Sequence, residues 1–171
     1  MAKQKLLPGK YLAMLAAFIM AAMGASAWAS EDWVTYRASD YGFSMLVPSG
    51  TEFVEREGPN GWAELYAEYD GVQLYGLTKR GEQATAAEIE AVGLKITGIP
   101  ASKWTTINSG KNQNGWKWYE TVEASQGDTL IVGDYGTGPS GSYLLLLRTT
   151  SSDYRAHKAD YISWYNSIRL F

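Results

Sequence analysis

Apolar and polar positions along this chain follow two periods, and the switches between them outline its elements. Phe43, Met45 and Val47 alternate with Ser44 and Leu46 in a strand led into by residues 33–37. Pro48-Ser49-Gly50 turns the chain, and a returning strand is expected over 51–56. Residues 62–69 and 72–79 flank Asp70-Gly71, a dipeptide that suits a tight hairpin. That turn sets the register. It places Tyr69 opposite Val72, Ala67 opposite Leu74 and Leu65 opposite Gly76 on a face expected to be core. The other face carries Glu68 with Gln73, Tyr66 with Tyr75, Glu64 with Leu77, and Trp62 with Lys79.

The period then lengthens. Thr85-Ala86-Ala87-Glu88 has the form of a capping box, Ile89, Val92 and Ile96 follow at helical spacing, and Gly98 and Pro100 are stop signals. These predict a helix over 85–97. Strands are expected at 104–109 and 116–124 around a polar tip at 110–115, and at 129–135 after a turn at 125–128. Tyr143-Leu144-Leu145-Leu146-Leu147 is apolar on both parities, which marks a strand covered on both faces and therefore central. Tyr154, His157, Tyr161, Trp164 and Ile168 share one face of a final helix, with Ser151-Ser152-Asp153 as its expected caps. The predicted fold class is α+β: an antiparallel sheet of about seven strands sandwiched by two main helices, in one domain over residues 30–171.

Residues 1–29 stand apart from this pattern. Lys3, Lys5 and Lys10 precede an apolar stretch from Tyr11 to Met23, and Ala27-Trp28-Ala29 has the form of a cleavage site. A secretory signal peptide cut before Ser30 is expected, which places the mature chain in the periplasm or outside the cell. Retention as a membrane anchor is the alternative, since Tyr11 to Ala29 carries no charge over nearly the ~20 residues that span a bilayer. Without residues 1–29, 12 Lys and Arg face 18 Asp and Glu, a net charge of −6 over 142 residues. An acidic chain of this kind lacks the basic patch on which nucleic-acid binding rests. It has no cysteine, which removes thiol chemistry, cysteine-ligated metals and a lipoprotein anchor, and leaves the fold to packing alone.

The segment Tyr41-Gly-Phe-Ser-Met-Leu-Val-Pro-Ser-Gly50, a following hairpin, a helix, a meander and the ending Tyr161-Ile-Ser-Trp-Tyr-Asn-Ser-Ile-Arg-Leu-Phe171 together resemble the PsbP-like superfamily, including bacterial exported DcrB-like proteins. Phe43 to Gly50 and Ser167 to Phe171 carry the match. The resemblance implies an antiparallel sheet between helices. It also implies a mostly non-enzymatic role in binding or assembly, with no catalytic residues to transfer and no cofactor.

Candidate chemistry is sparse. Gly136-Thr-Gly-Pro-Ser-Gly141 matches a dinucleotide fingerprint, but the next segment is the Leu-rich strand where a phosphate-holding helix should begin, so a hairpin loop is expected. His157, the single histidine, lies four residues after Asp153, which suits a helix-surface pair. Asn108, Asn112 and Asn114 offer no charged cage for calcium, and no metal site is expected. Glu64 and Glu68 lie ~13 Å apart on one strand, beyond the ~5–9.5 Å of a glycosidase pair. Trp62, Tyr66 and Tyr75 share a sheet face that is either covered by a helix or open as an aromatic binding surface. If open, these three are the candidate residues for a small ligand such as a sugar or a lipid. The expected function is an exported, non-enzymatic binding or assembly protein of the bacterial cell envelope with a protein partner, touching the membrane only through an uncleaved first segment. A small-ligand receptor is the alternative.

Overall fold

A computed structural model describes residues 32–171; the expected export segment lies outside the described residues. Strands β4 (Ala63–Tyr69) and β5 (Val72–Arg80) form the predicted hairpin, with β3 (Val54–Glu57) beside β4. The meander β6 (Thr105–Gln113), β7 (Trp116–Gln126), β8 (Thr129–Gly138) and β9 (Gly141–Thr150) completes an antiparallel sheet of order β3-β4-β5-β9-β8-β7-β6. β9 is fourth of the seven. Tyr143 to Leu147 are buried without exception. A strand with apolar residues on both parities stabilises the fold only where both faces are covered, at ~1.5–3 kcal/mol per buried leucine, and the middle of the sheet provides that cover.

The turns keep this register. Asp70 and Gly71 take φ of 46° and 76°, the two positive values of a type I′ turn, and the pairs Tyr69/Val72, Ala67/Leu74 and Leu65/Gly76 form as expected. A second turn of the same kind, Asn114-Gly115 with φ of 54° and 86°, joins β6 to β7. The polar tip expected over six residues is therefore two residues long, because an Asn-Gly pair inside it lets both strands continue to Gln113 and Trp116. Gly138 pairs with Gly141 across Pro139-Ser140, so the glycine-rich segment is a hairpin.

Helix α1 (Ala86–Thr97) carries the chain across the sheet between β5 and the far edge at β6. Thr85 Oγ1 accepts from the Glu88 amide, and the Glu88 carboxylate accepts from the Thr85 amide at 2.7 Å, so the capping box closes as predicted. Ile89 and Val92 bury against Leu77, Val122, Leu144 and Leu146.

The opposite face is covered differently from expectation. β1 (Trp33–Ala38), β2 (Phe43–Pro48) and the short β10 (Arg169–Leu170) form a second sheet of order β1-β2-β10. The strand expected to return along β2 over 51–56 does not pair there. It begins at Val54 and pairs with β4; β1 lies along one edge of β2, and β10 takes Phe43 and Ser44 on the other. Phe53 stacks on Tyr36 with ring centroids 4.0 Å apart where the chain steps from one sheet to the other.

The last helical segment is two helices, α2 (Ser151–Ala156) and α3 (Lys158–Ser167), broken at His157 with φ −119° and ψ 26°. Its cap is Thr150, whose Oγ1 accepts from the Asp153 amide at 3.1 Å, in place of the expected Ser151 to Asp153. The apolar stripe survives the break, with Tyr154, Tyr161, Trp164 and Ile168 all buried. The described residues thus form an α+β sandwich with a seven-stranded antiparallel sheet at its centre and three helices. Among them, no helix is long and apolar enough to cross a membrane.

Phe43 locks the small sheet to the large one. A Cβ placed on Gly76 of β5 would lie 2.6 Å from Phe43 Cζ, so the ring occupies a notch that this glycine leaves. Gly76→Ala is expected to lower stability by ~1–3 kcal/mol through overpacking, and Phe43→Ala by ~3–5 kcal/mol through the cavity it leaves. Urea unfolding of both variants checks this, and an unchanged midpoint for Gly76→Ala would rule the notch out.

Candidate functional site

The pairing of β4 with β5 brings Tyr66 and Tyr75 together on the face that α1 covers, ring centroids 5.2 Å apart. Trp62 and Tyr75 are buried in the core with Ile89 and Val92. Tyr66 is half-buried at its margin, with the Arg56 guanidinium 3.7 Å above its ring and its hydroxyl donating to Glu68 Oε2 at 2.9 Å. Partial burial and the Glu68 carboxylate push its pKa up to about 12. Of the two conformations open to this face, the structure takes the covered one. The reason is apolar area: Ile89 and Val92 need a surface, and the aromatic rings with Leu77 supply it.

Glu64, on the same face, is buried with Arg56 Nη1 3.8 Å from its Oε1. Burial raises its pKa, and Arg56 offsets part of the rise. Glu68 is exposed. His157 sits at the helix break with Nδ1 2.9 Å from Asp153 Oδ1. Asp153 Oδ2 also accepts from Thr149 Oγ1 at 2.8 Å and from the Tyr161 hydroxyl. The four side chains tie the end of β9 to both helices, which accounts for the histidine as a structural clamp. Asn114 is a turn residue and Asn112 lies within β6, both with positive φ.

A further acid went unnoticed in the sequence. Alternation along β8 turns Asp134 toward the α3 side of the sheet, between Thr121 of β7 and Leu145 of β9. With Thr121 it lies at the floor of a pocket of about 110 Å³ whose walls include Trp116, Tyr119 and Tyr165, and whose rim carries Asn108, Gln113, Asn114 and Asn166. Asp134 is 3% exposed and Thr121 1%. Among the described residues, Asp134 Oδ1 and Thr121 Oγ1 have no partner beyond the interaction of the Thr121 hydroxyl with the Asp134 carboxyl, and that contact falls short of good hydrogen-bond geometry. Burial pushes the Asp134 carboxyl up to about 7, and the neighbouring Thr121 hydroxyl restrains the rise. Tyr165 is raised as well, by burial and then by the charge of Asp134. The signal available beforehand was a carboxylate set among Leu130-Ile131-Val132 and the central leucines, where burial of a charge is expensive.

At the edge of the sheet, β6 is exposed along most of its length, and Ile107 bulges from it 44% exposed. A groove of about 560 Å³ runs beside it, walled by Lys111, Lys117, Trp118, Tyr119 and Glu120. Its size is that of a ligand or peptide cleft.

The fold is a PsbP-like α+β sandwich. The solution structure of cyanobacterial PsbP (CyanoP) from Synechocystis sp. PCC 6803 superposes with a TM-score of 0.56 and 15% identity, covering 86% of this chain and 96% of that one. No protein-family model matches the chain, and no curated protein matches its sequence.

The buried carboxyl makes stability depend on pH. Between its ordinary value of 3.8 and about 7, the folded chain holds a proton that the unfolded chain has released. Stability therefore falls as pH rises through that interval, by on the order of 4 kcal/mol, and levels off above it. Asp134→Asn is expected to abolish this fall and to exceed the wild type in stability at pH 8. Urea unfolding at pH 4.5 and pH 8 checks it, and parallel pH profiles for the two proteins would contradict the assignment.

Proposed function

We propose that this chain is an exported, non-enzymatic binding or assembly protein of the bacterial cell envelope, and that it engages an extended, acidic segment of a protein partner along β6. The observation that carries the reading is the edge of β6, open among the described residues, beside the groove walled by Lys111, Lys117 and Trp118. An unpaired edge offers main-chain donors and acceptors to an added strand, and the bulge at Ile107 presents an apolar side chain next to them. Two lysines against one carboxylate, Glu120, which already accepts from Thr106 and Tyr135, favour acid side chains on the incoming segment, in a protein whose mature part is itself acidic. The residue pattern of 1–29 supports export, and the resemblance of Phe43 to Gly50 and Ser167 to Phe171 to exported DcrB-like proteins supports the envelope setting.

A receptor built on Trp62, Tyr66 and Tyr75 would require α1 to lift away, since that helix packs over two of the three. The β6 edge needs no such rearrangement. A photo-crosslinking residue at Ile107 is expected to yield one discrete adduct in intact cells, lost on joint Lys111→Glu and Lys117→Glu substitution. The same probe at Arg155, an exposed position on α2, is expected to yield none. Equal labelling from both positions, or an adduct indifferent to charge reversal, would overturn the β6 reading.

A further inference from the structure

We propose that the pocket floored by Asp134 and Thr121 binds a primary ammonium group, either a small free amine or the tip of a thin aminoalkyl chain. This is independent of the partner reading for the β6 edge. Buried polar atoms in native proteins nearly always have partners, and here Asp134 Oδ1 and Thr121 Oγ1, on neighbouring strands, have only each other, without good hydrogen-bond geometry. The carboxylate only accepts, and the Thr121 hydroxyl, whose single proton faces Asp134, keeps its lone pairs for a further donor. The complement is a cationic donor, and an ammonium has three N–H donors and no acceptor.

Size and charge narrow the occupant. About 110 Å³ exceeds what a single water needs and falls well below the ~300–1,000 Å³ of drug-sized sites, so the ligand has few heavy atoms. Among the described residues, Asp134 is the one carboxylate lining the pocket, the remaining polar side-chain groups being amides, hydroxyls and the Trp116 indole. A calcium ion, which takes six to eight oxygens and several charges, is poorly matched. The acid disfavours an anion. Trp116 and Tyr119 add aromatic walls, against which the alkyl part of an aminoalkyl chain can pack. The exposed amide rim leaves the pocket open to entry from solvent.

The test is thermal unfolding of the full chain at pH 8, where Asp134 is ionised, in methylammonium, tetramethylammonium and potassium chlorides at matched ionic strength. Methylammonium is expected to raise the melting temperature saturably, by ~3 °C or more. Tetramethylammonium, which has no N–H donors, and potassium are expected to leave it unchanged. Asp134→Asn should abolish the shift, and Tyr165→Phe, a milder change in the wall, should move half-saturation upward about threefold or more. An absent shift would mean that the pocket holds water alone, and an equal shift with potassium would mean a site for monovalent cations in general. Either result, or a shift retained in both variants, overturns the proposal.

Discussion

Burial of β9 on both faces is the constraint on which the rest of this structure depends. Tyr143 to Leu147 have no solvent-facing parity, so the sheet that contains them has to be covered twice. On one side α1 does this with a short apolar stripe. On the other side the cover is composite, and it comes from both ends of the described chain: β1 and β2 from the start, and α2, α3 and β10 from the end. Phe171 donates its amide to Gly42, and Leu170 donates to Asn114, so the last residues are tied to the first sheet and to the β6–β7 turn. Without cysteine, this closure by hydrogen bonds and packing is what holds the second layer in place.

A sheet covered twice is a costly place for charge, and that gives the few polar groups inside it their significance. Glu64 has Arg56 nearby, and Asp153 has His157, Thr149 and Tyr161. Asp134 has no such compensation beyond the restraint of Thr121, and its carboxyl consequently sits far above the ordinary aspartate range. The contrast separates polar residues that complete the architecture from one that the architecture does not use. The covered and uncovered regions divide in the same way. The aromatic face of β4 and β5 is occupied by the protein's own helix, while the β6 edge at the other end of the sheet has no strand beside it among the described residues.

Much of the local structure was legible in the sequence because its causes act over two to four residues. Asp70-Gly71 set the hairpin register pair by pair, Thr85 and Glu88 set the start of α1, and the run at 143–147 marked the centre of the sheet. The stripe from Tyr154 to Ile168 was likewise evident, although the break at His157 was not. At that break Asp153 holds Thr149, His157 and Tyr161 together, contacts that no periodicity encodes.

Tertiary structure decided what depends on distant neighbours. The partners of β2, the step of β3 into the other sheet, and the covering of Trp62 and Tyr75 all follow from competition for hydrogen-bonding edges and apolar area between segments far apart in the chain. The placement of Asp134 belongs to the same class. Alternation alone says which side of β8 it occupies, but only the packing of α3 and the β6–β7 hairpin around that side turns an ordinary acid into a buried one at the floor of a pocket. The sequence by itself determined the elements and their local registers, since turn and cap chemistry are short-ranged. Which surfaces were left open was decided only when the layers closed, because burial is a property of the whole fold.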